Sequence, residues 1–349
     1  MGAGYTINDT MGARVRIADI ADRADVSSAT VSRVLNDPQR VTSRTRERIY
    51  AAMRELNYMP PTVRRDPDSL SHIIGIFAPH LMLDSVTELV RAVEEELADT
   101  SFDILLVNMR GNRDFGSFIQ GNSPILRKID GAVVFSADVS QQAVDFMKSA
   151  DIPVVLLQSR SQLVRAVSNN NFLGGQDAAA HLLDCGYRRV AFVGWEPLDE
   201  HVSDRLDGFR SALTREDEAL SDADTYFGPL SVEGGYRATH QLLRTGTPDA
   251  IFYASDVLAM GGMRRLREAA LQIPEDIGIM GFDDLRVAAP LGLTTMRQFF
   301  STKAQMVIEY LLGRISGEIR TDQPEELQVS PKLVVRDTTR PRTGEQRVE

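Results

Sequence analysis

Apolar positions along this chain change their period once, and the change divides it in two. From Arg16 to Leu56 they recur at helical spacing: Ile17, Ile20 and Ala21, then Val31, Val34 and Leu35, then Ile49, Ala52, Met53 and Leu56. Three short amphipathic helices are predicted there. Residues 60–71, PPTVRRDPDSLS, hold three prolines among polar residues and read as a linker. Beyond them, apolar runs of strand length alternate with amphipathic stretches. The predicted strands are IIGIFA (73–78), FDILLV (102–107), GAVVF (131–135), PVVLL (153–157), VAFVG (190–194), AIFYA (250–254) and IGIMGF (277–282). Continuous Val/Ile/Leu runs, in place of strict alternation, indicate strands buried on both faces of a parallel sheet. Segments 88–99, 174–185 and 259–270 supply crossover helices, and such a sheet binds ligands beyond the carboxyl ends of its strands.

The predicted organisation is a disordered extension over residues 1–13, a helical domain over 14–59, a hinge or linker over 60–72, an α/β domain over 73–341 and a tail over 342–349. The extension is rich in Gly, Thr, Asn and Asp, and Met11 is an alternative start. A chain of 349 residues exceeds what one core organises, which fits a small domain joined to a larger one.

Charge sharpens the division. The net charge of −10 conceals a head, residues 14–65, with eleven arginines against six acids; at +5 it leaves −15 for the rest. Local positive charge suits phosphate contact with counterion release, while an acidic body discourages indiscriminate coating of nucleic acid. No apolar run approaches the roughly 20 residues of a bilayer span, and the N-terminus lacks the pattern of a secretory signal, so a cytoplasmic location is expected. Cys185 is the single cysteine, which excludes an intramolecular disulfide and a cysteine-cluster metal site; it reads as a small buried apolar residue.

The segment RIADIADRADVSSATVSRVLND combines two short helices with a tight turn. Ser27 suits the N-cap of the second. With Val31, Val34 and Leu35 packed on Ile17, Ile20 and Ala21, the exposed side holds Ser28, Ala29, Ser32 and Arg33, where a recognition helix meets base edges. Arg33 matches a guanine edge, and Thr30, Ser32 and Asn36 match phosphates. By themselves these residues fit an ordinary helical hairpin equally well.

From Ile17 through Pro60, ADIADRADVSSATVSRVLN, VTSRTRERI and AAMRELNYMP resemble the DNA-binding head of the lactose-repressor/galactose-repressor family. The resemblance implies a third helix from about Ser43 to Leu56, an operator with two-fold pseudosymmetry, and base reading by Ser28, Ala29 and Arg33. Because Ser and Ala offer few base contacts, Arg33 and DNA shape are expected to carry more of the specificity. Two departures stand out. Asp25 occupies a turn position where the family usually has glycine, and Asp tolerates the left-handed conformation. Pro67 stands where the hinge helix of the family carries the leucine that wedges into the minor groove, which argues against a standard hinge helix. Leu70 or Val63 is the substitute wedge, and Arg64 and Arg65 are placed to enter a narrow minor groove.

The resemblance continues to about Pro341 through IDGAVVFS, IPVVLL, NNNFLGGQDAAAHLLDCGYRRVAFVG, DRLDGFRSAL, ASDVLAMGGMRRL, IPEDIGIMGFDD, LGLTTMRQ and LVVRDTT. It implies the fold of periplasmic sugar-binding proteins: α/β, two lobes with parallel sheets, lobe 1 from 73–169 and 299–328, lobe 2 from 170–298 and 329–341, and an effector between them. It assigns Arg205, Ser255, Asp256 and Asp283 to effector hydroxyls and Leu230 and Phe300 to the apolar side. Gln158 stands where the family often has aspartate, and His80 and Asp84 are further candidate contacts. The function implied is a homodimeric transcription repressor on double-stranded operator DNA, controlled by a small molecule, with a sugar or sugar derivative favoured. Residues 336–349, RDTTRPRTGEQRVE, carry no leucine heptads, so no coiled-coil tetramer is expected.

Two rivals are weaker. A ligand receptor with an inert head does not explain the arginine-rich head. An enzyme would need a catalytic constellation, and the chain has no GxxxxGK[ST], no GxGxxG after a strand and no HExxH, while its five histidines are scattered; neither a cofactor nor a metal is expected. Asp283 and Asp284 suggest an acid/base pair, but neighbours on a loop seldom face one cleft. Trp195, after a strand end, is divided between ligand contact and packing.

Overall fold

A computed structural model describes residues 15–36, 40–56, 58, 70–216, 218–320 and 323–340. The expected N-terminal extension, most of the linker with Val63, Arg64, Arg65 and Pro67, and the tail lie outside the described residues.

Three helices form the head: α1 (Ile17–Arg23), α2 (Ser28–Asn36) and α3 (Ser43–Glu55). Ile20, Val31, Ile49 and Met53 are fully buried at their junction, with Val34, Leu35 and Ala52 beside them. The turn between α1 and α2 places Asp25 at φ 51°. That left-handed backbone is costly for most side chains and least so for Asp and Asn. Arg48 on α3 holds the turn: its Nη2 donates to the carbonyls of Ala24 at 2.6 Å and Asp25 at 2.9 Å and meets Asp25 Oδ2 at 3.1 Å. One of the head's arginines therefore staples the motif together.

The body alternates strands and helices: β1 (Ile73–Ala78), α4 (Asp84–Leu97), β2 (Asp103–Asn108), α5 (Phe115–Leu126), β3 (Gly131–Phe135), α6 (Gln141–Ser149), β4 (Val154–Leu157) and β5 (Ala166–Asn169). Then come α7 (Asn171–Asp184), β6 (Val190–Trp195), α8 (Glu200–Arg215), β7 (Thr225–Gly228), α9 (Val232–Thr245), β8 (Ala250–Tyr253), α10 (Asp256–Glu268), β9 (Gly278–Asp283) and β10 (Thr294–Arg297). The chain closes with α11 (Phe300–Ile315), β11 (Glu326–Val329) and β12 (Lys332–Val334). One sheet has the order β11-β5-β4-β3-β1-β2, the other β12-β10-β9-β8-β6-β7. The chain passes between sheets three times: after β5, after β10, and between β11 and β12.

Compact units divide at Pro79/His80, Thr100/Ser101 and Val154/Val155. In the first, Phe77 of β1 meets Phe115 edge-on at 5.2 Å between centroids. The second holds α4 and everything from β4 onward, with a core of Tyr187, Phe192, Phe209, Phe252, Tyr253 and Phe282, all buried. Burying such a ring contributes about 1.5–3 kcal/mol. In this unit α7 and α8 approach until a Cβ on Gly175 would lie 2.0 Å from the Arg205 carbonyl oxygen and one on Gly208 would lie 1.9 Å from that of Phe172. Only glycine permits that approach, and it fixes the height at which Arg205 leaves α8.

The apolar runs coincide with seven of the strands to within one residue. Five strands were not foreseen: β5 (AVSN), β7 (TYFG), β10 (TTMR), β11 (ELQV) and β12 (KLV). Each has three or four residues, and unlike β4 and β8 of similar length they are interrupted by polar side chains or glycine, so no continuous apolar run marks them. Among the short strands, β12 pairs antiparallel with β10 at the edge of its otherwise parallel sheet. α4 and α7 start earlier than the apolar spacing suggested, at Asp84 and Asn171; Asn170 caps α7 by accepting from the Leu173 amide at 3.0 Å. Among the described residues no helix is long and apolar enough to cross a membrane.

Candidate functional site

In the head, Ser27 caps α2 as its sequence position predicts: Ser27 Oγ accepts from the Thr30 amide at 3.1 Å. The Thr30 and Ser27 hydroxyls share a further hydrogen bond of 2.8 Å, so Thr30 has a local partner besides any phosphate. Ser28, Ala29 and Arg33 are exposed and Ser32 is half-buried, so the early face of α2 is presented outward while Val31, Val34 and Leu35 turn inward. Asn36 ends α2, and its side chain lies outside the described set.

The second candidate site is a buried polar cluster at the carboxyl ends of the second sheet. Ser255 follows β8, Asp283 ends β9 and Gln298 follows β10; Arg205 reaches them from α8. All four are at most 6% exposed. Arg205 Nε donates to Asn171 Oδ1 at 2.9 Å, Nη1 donates to the Ala254 carbonyl and lies 3.7 Å from Asp283 Oδ1, and the guanidinium sits 3.6 Å from the Phe282 ring centroid. Asp283 Oδ2 accepts from Ser255 Oγ at 2.8 Å, and Oδ1 accepts from Gln298 Nε2.

Elements of the first sheet complete the cluster. Gln298 Oε1 accepts from Gln158 Nε2 at 2.6 Å, from Asn169 Nδ2 and from Lys303 Nζ at 3.1 Å. Lys303 Nζ also donates to Asn169 Oδ1 at 2.9 Å. Because Asn171 Oδ1 is taken by Arg205, its Nδ2 donates to His201 Nδ1 at 3.2 Å, which leaves His201 Nε2 to donate to the Gln158 carbonyl at 2.9 Å and fixes a neutral tautomer. Gln158, Asp283 and Asp284 have positive φ (55°, 123° and 55°), a strained conformation that concentrates at sites where geometry is imposed by function.

Burial dominates the ionisation of the cluster. It lowers the Arg205 pKa against the pull of Asp283, and it raises that of Asp283 against the opposing charge of Arg205. Asp256 is raised well above the carboxylate range by burial and by Asp283. Its oxygens accept from Thr295 Oγ1 at 2.6 Å and from the Leu285 amide at 2.8 Å, so Asp256 braces the loop beneath the site.

The remaining expected residues are scattered. Phe300 opens α11 with its ring 4.7 Å from Lys303 Nζ. Leu230 is half-buried against the core of the second sheet. His80 is exposed after β1 and Asp84 is exposed in the first turn of α4; among the described residues, no hydrogen bond or ion pair joins either to the cluster. Trp195 is buried at the end of β6, 5.4 Å from the Arg205 guanidinium, with Nε1 donating to Asp199 at 3.3 Å. Cys185 is buried near His181, and burial raises its thiol.

Five members were not anticipated: Asn169, Asn171, His201, Gln298 and Lys303. For Lys303 the signal was present, since it shares a helical face with Val307 and Leu311, a position that points into a core. Asn169 ends β5, a strand too interrupted by polar residues to be recognised, and Asn171 opens α7 two residues later. Amides, a hydroxyl, a guanidinium and a carboxylate thus converge on one buried point, groups of the kind that hydrogen-bond hydroxyls.

Comparison with known proteins gives two family matches: bacterial regulatory proteins, lacI family, over residues 16–61, and a periplasmic binding protein-like domain over residues 179–339. The ribose operon repressor of Escherichia coli (strain K12) is 30% identical over 334 residues, covering 91% of this chain and 98% of its own. This chain belongs to the lacI family of bacterial regulatory proteins. Among solved structures, a LacI family transcriptional regulator from Enterococcus faecium with bound ribose is similar at TM-score 0.67 and 29% identity, over 78% of this chain and all of that one. The lac repressor dimer bound to operator and an anti-inducer is similar at TM-score 0.65 and 25% identity, over 94% of this chain and all of that one. The lacI-family match covers α1 to α3, and the binding-protein match spans Arg205, Ser255, Asp283 and Gln298.

Proposed function

We propose that this lacI-family regulator is a cytoplasmic homodimeric repressor, not an enzyme, whose heads read two half-sites of an operator and whose DNA affinity is set by a sugar-type effector held at the Arg205 cluster. The observation that carries the reading is the polar chain Arg205–Asp283–Gln298, an ion pair and a hydrogen bond, which Gln158 and Asn169 extend to strands of the first sheet through groups suited to hydroxyls. A ligand exchanging with these bonds acts on the segments that cross between sheets, and differential affinity for two arrangements of those segments is what allosteric control requires.

In this reading Arg33 supplies the main base contact, Ser28 and Ala29 the lesser ones, and Thr30, Ser32 and Asn36 hold phosphates, with Arg64 and Arg65 at the minor groove. Arg205, Asp283, Ser255 and Gln158 bind the effector, Asp256 supports them, Phe300 and Leu230 bound the apolar side, and His80 and Asp84 lie at the periphery. The relatives support the division of labour: the E. coli protein is a ribose operon repressor, one solved neighbour holds ribose and another is an operator-bound dimer.

The test is selection of bound duplexes from a random pool, followed by release of the selected operator with sugars. Recovery of a palindromic site of roughly 14–20 base pairs, lost or relaxed in Arg33→Ala, supports the reading. Recovery of no sequence preference overturns it.

A further inference from the structure

Lys303 is the member of the cluster that a neutral sugar leaves unexplained. Its side chain is fully buried, and its two partners, Asn169 Oδ1 and Gln298 Oε1, are uncharged amide oxygens. Among the described residues no carboxylate lies within ion-pairing distance of Nζ. Buried ammonium groups are ordinarily paired, because an isolated charge in a low-dielectric interior is strongly disfavoured. Burial accordingly lowers the Lys303 pKa well below its ordinary value, with Asp283 opposing and Arg205 adding to the effect.

A second observation comes from counting donors. The ends of the cluster orient its amides: Asp283 Oδ1 accepts from Gln298 Nε2, and Lys303 Nζ donates to Asn169 Oδ1. Gln298 Oε1 is left facing Gln158 Nε2, Asn169 Nδ2 and Lys303 Nζ, three donors on an oxygen with two lone pairs. The charges are uneven as well. Asp283 is the acid that favours the charged forms of both Arg205 and Lys303, and it is already ion-paired with Arg205 at 3.7 Å.

We propose that the effector is an anionic sugar derivative, carrying a carboxylate or a phosphate that becomes the counter-ion of Lys303 and accepts from Gln158 and Asn169, while its hydroxyls engage Arg205 and Asp283. This rests on the effector reading above. A multidentate anion accepts from the crowded donors and also supplies the counter-charge that Lys303 lacks, and a neutral hydroxyl supplies only the first.

The test is direct binding to the full-length protein by calorimetry, with operator release followed in parallel, using matched sets: ribose, ribonate and ribose 5-phosphate; glucose, gluconate, glucuronate and glucose 6-phosphate. At least one anion is expected to bind about ten- to a hundredfold more tightly than its neutral parent, the range of a charge-assisted hydrogen bond, and the carboxylate and phosphate arms identify which group the site takes. Lys303→Met is expected to abolish that preference while melting no lower than the parent. The comparison of anion with parent sugar on the unaltered protein needs no variant. Neutral sugars binding as tightly as their anions, with Lys303→Met unchanged, overturn the anion inference and leave the sugar-repressor reading in place. A panel in which nothing binds overturns both.

Discussion

Asp283 and Asp284 are neighbours in the chain and face different structures. Asp283 turns into the buried cluster, accepting from Ser255 and Gln298, whereas Asp284 pairs with Arg297 at 2.6 Å and Arg336 at 2.7 Å. The positive φ at both residues turns the chain between them, so the acidic pair divides into one member at the site and one tie to the C-terminal segment.

That separation predicts two phenotypes. Asp284→Asn is expected to lower stability by about 1–3 kcal/mol, the cost of weakening a partly buried charged hydrogen-bond pair, with effector affinity unchanged. Asp283→Asn is expected to lower effector affinity by at least about tenfold. Thermal unfolding with calorimetric titration of both variants checks this, and equal loss of affinity in the two would refute the division.

On the head, Arg33→Ala is expected to cost about 1–3 kcal/mol of operator affinity and to relax base preference at one position of each half-site. Arg48→Ala acts differently. It removes the donor to the Ala24 and Asp25 carbonyls, so it should destabilise the head by about 1 kcal/mol and weaken binding to all sequences alike. Quantitative binding to a set of single-base operator variants separates the two patterns.

Gly175→Ala introduces a Cβ that would lie 2.0 Å from the Arg205 carbonyl oxygen. The expected cost is about 1–3 kcal/mol, as for overpacking, with loss of effector response as α8 shifts. Retention of full response at the parent's melting temperature would show that the approach of α7 to α8 does not position Arg205.

Lys303 should leave a trace in the pH dependence of stability. Its folded-state pKa lies below the unfolded value, so between the two the unfolded chain binds the extra proton and stability rises with pH, by up to about 1.4 kcal/mol per unit. Below the folded-state pKa that contribution is lost. Lys303→Met should remove this slope and be the more stable protein at neutral pH; denaturant unfolding of both proteins across pH 6 to 10, roughly the span below the ordinary lysine pKa, measures it. Parallel profiles would mean that Lys303 keeps its proton in the folded chain.

Much of this was legible in advance. The serine cap of α2 and the inward face of Val31, Val34 and Leu35 follow from local rules, because a helix of nine residues carries its own period and its cap sits one residue away, while the left-handed turn at Asp25 was reached through the family's usual glycine there. Arg205 and Asp283 were reached through resemblance of the surrounding motifs. Asn169, Gln298 and Lys303 were not reached at all, for the bonds that tie Asn169 to Gln298, Asn169 to Lys303 and Gln158 to Gln298 span 129, 134 and 140 residues of chain.

The sequence alone determined the division into a basic helical head and an acidic α/β body, the seven strands made of continuous apolar runs, and the kind of chemistry each part can host. Charge, period and composition are local properties and survive without a fold. Only the tertiary structure decided which polar groups meet. The crossings between the sheets bring Asn169, Gln298 and Lys303 to one buried point beside Asp283, and burial there raises the energetic weight of every unmatched charge and donor. A lysine that reads as an ordinary interruption of an apolar face becomes, in that setting, a charge awaiting its partner.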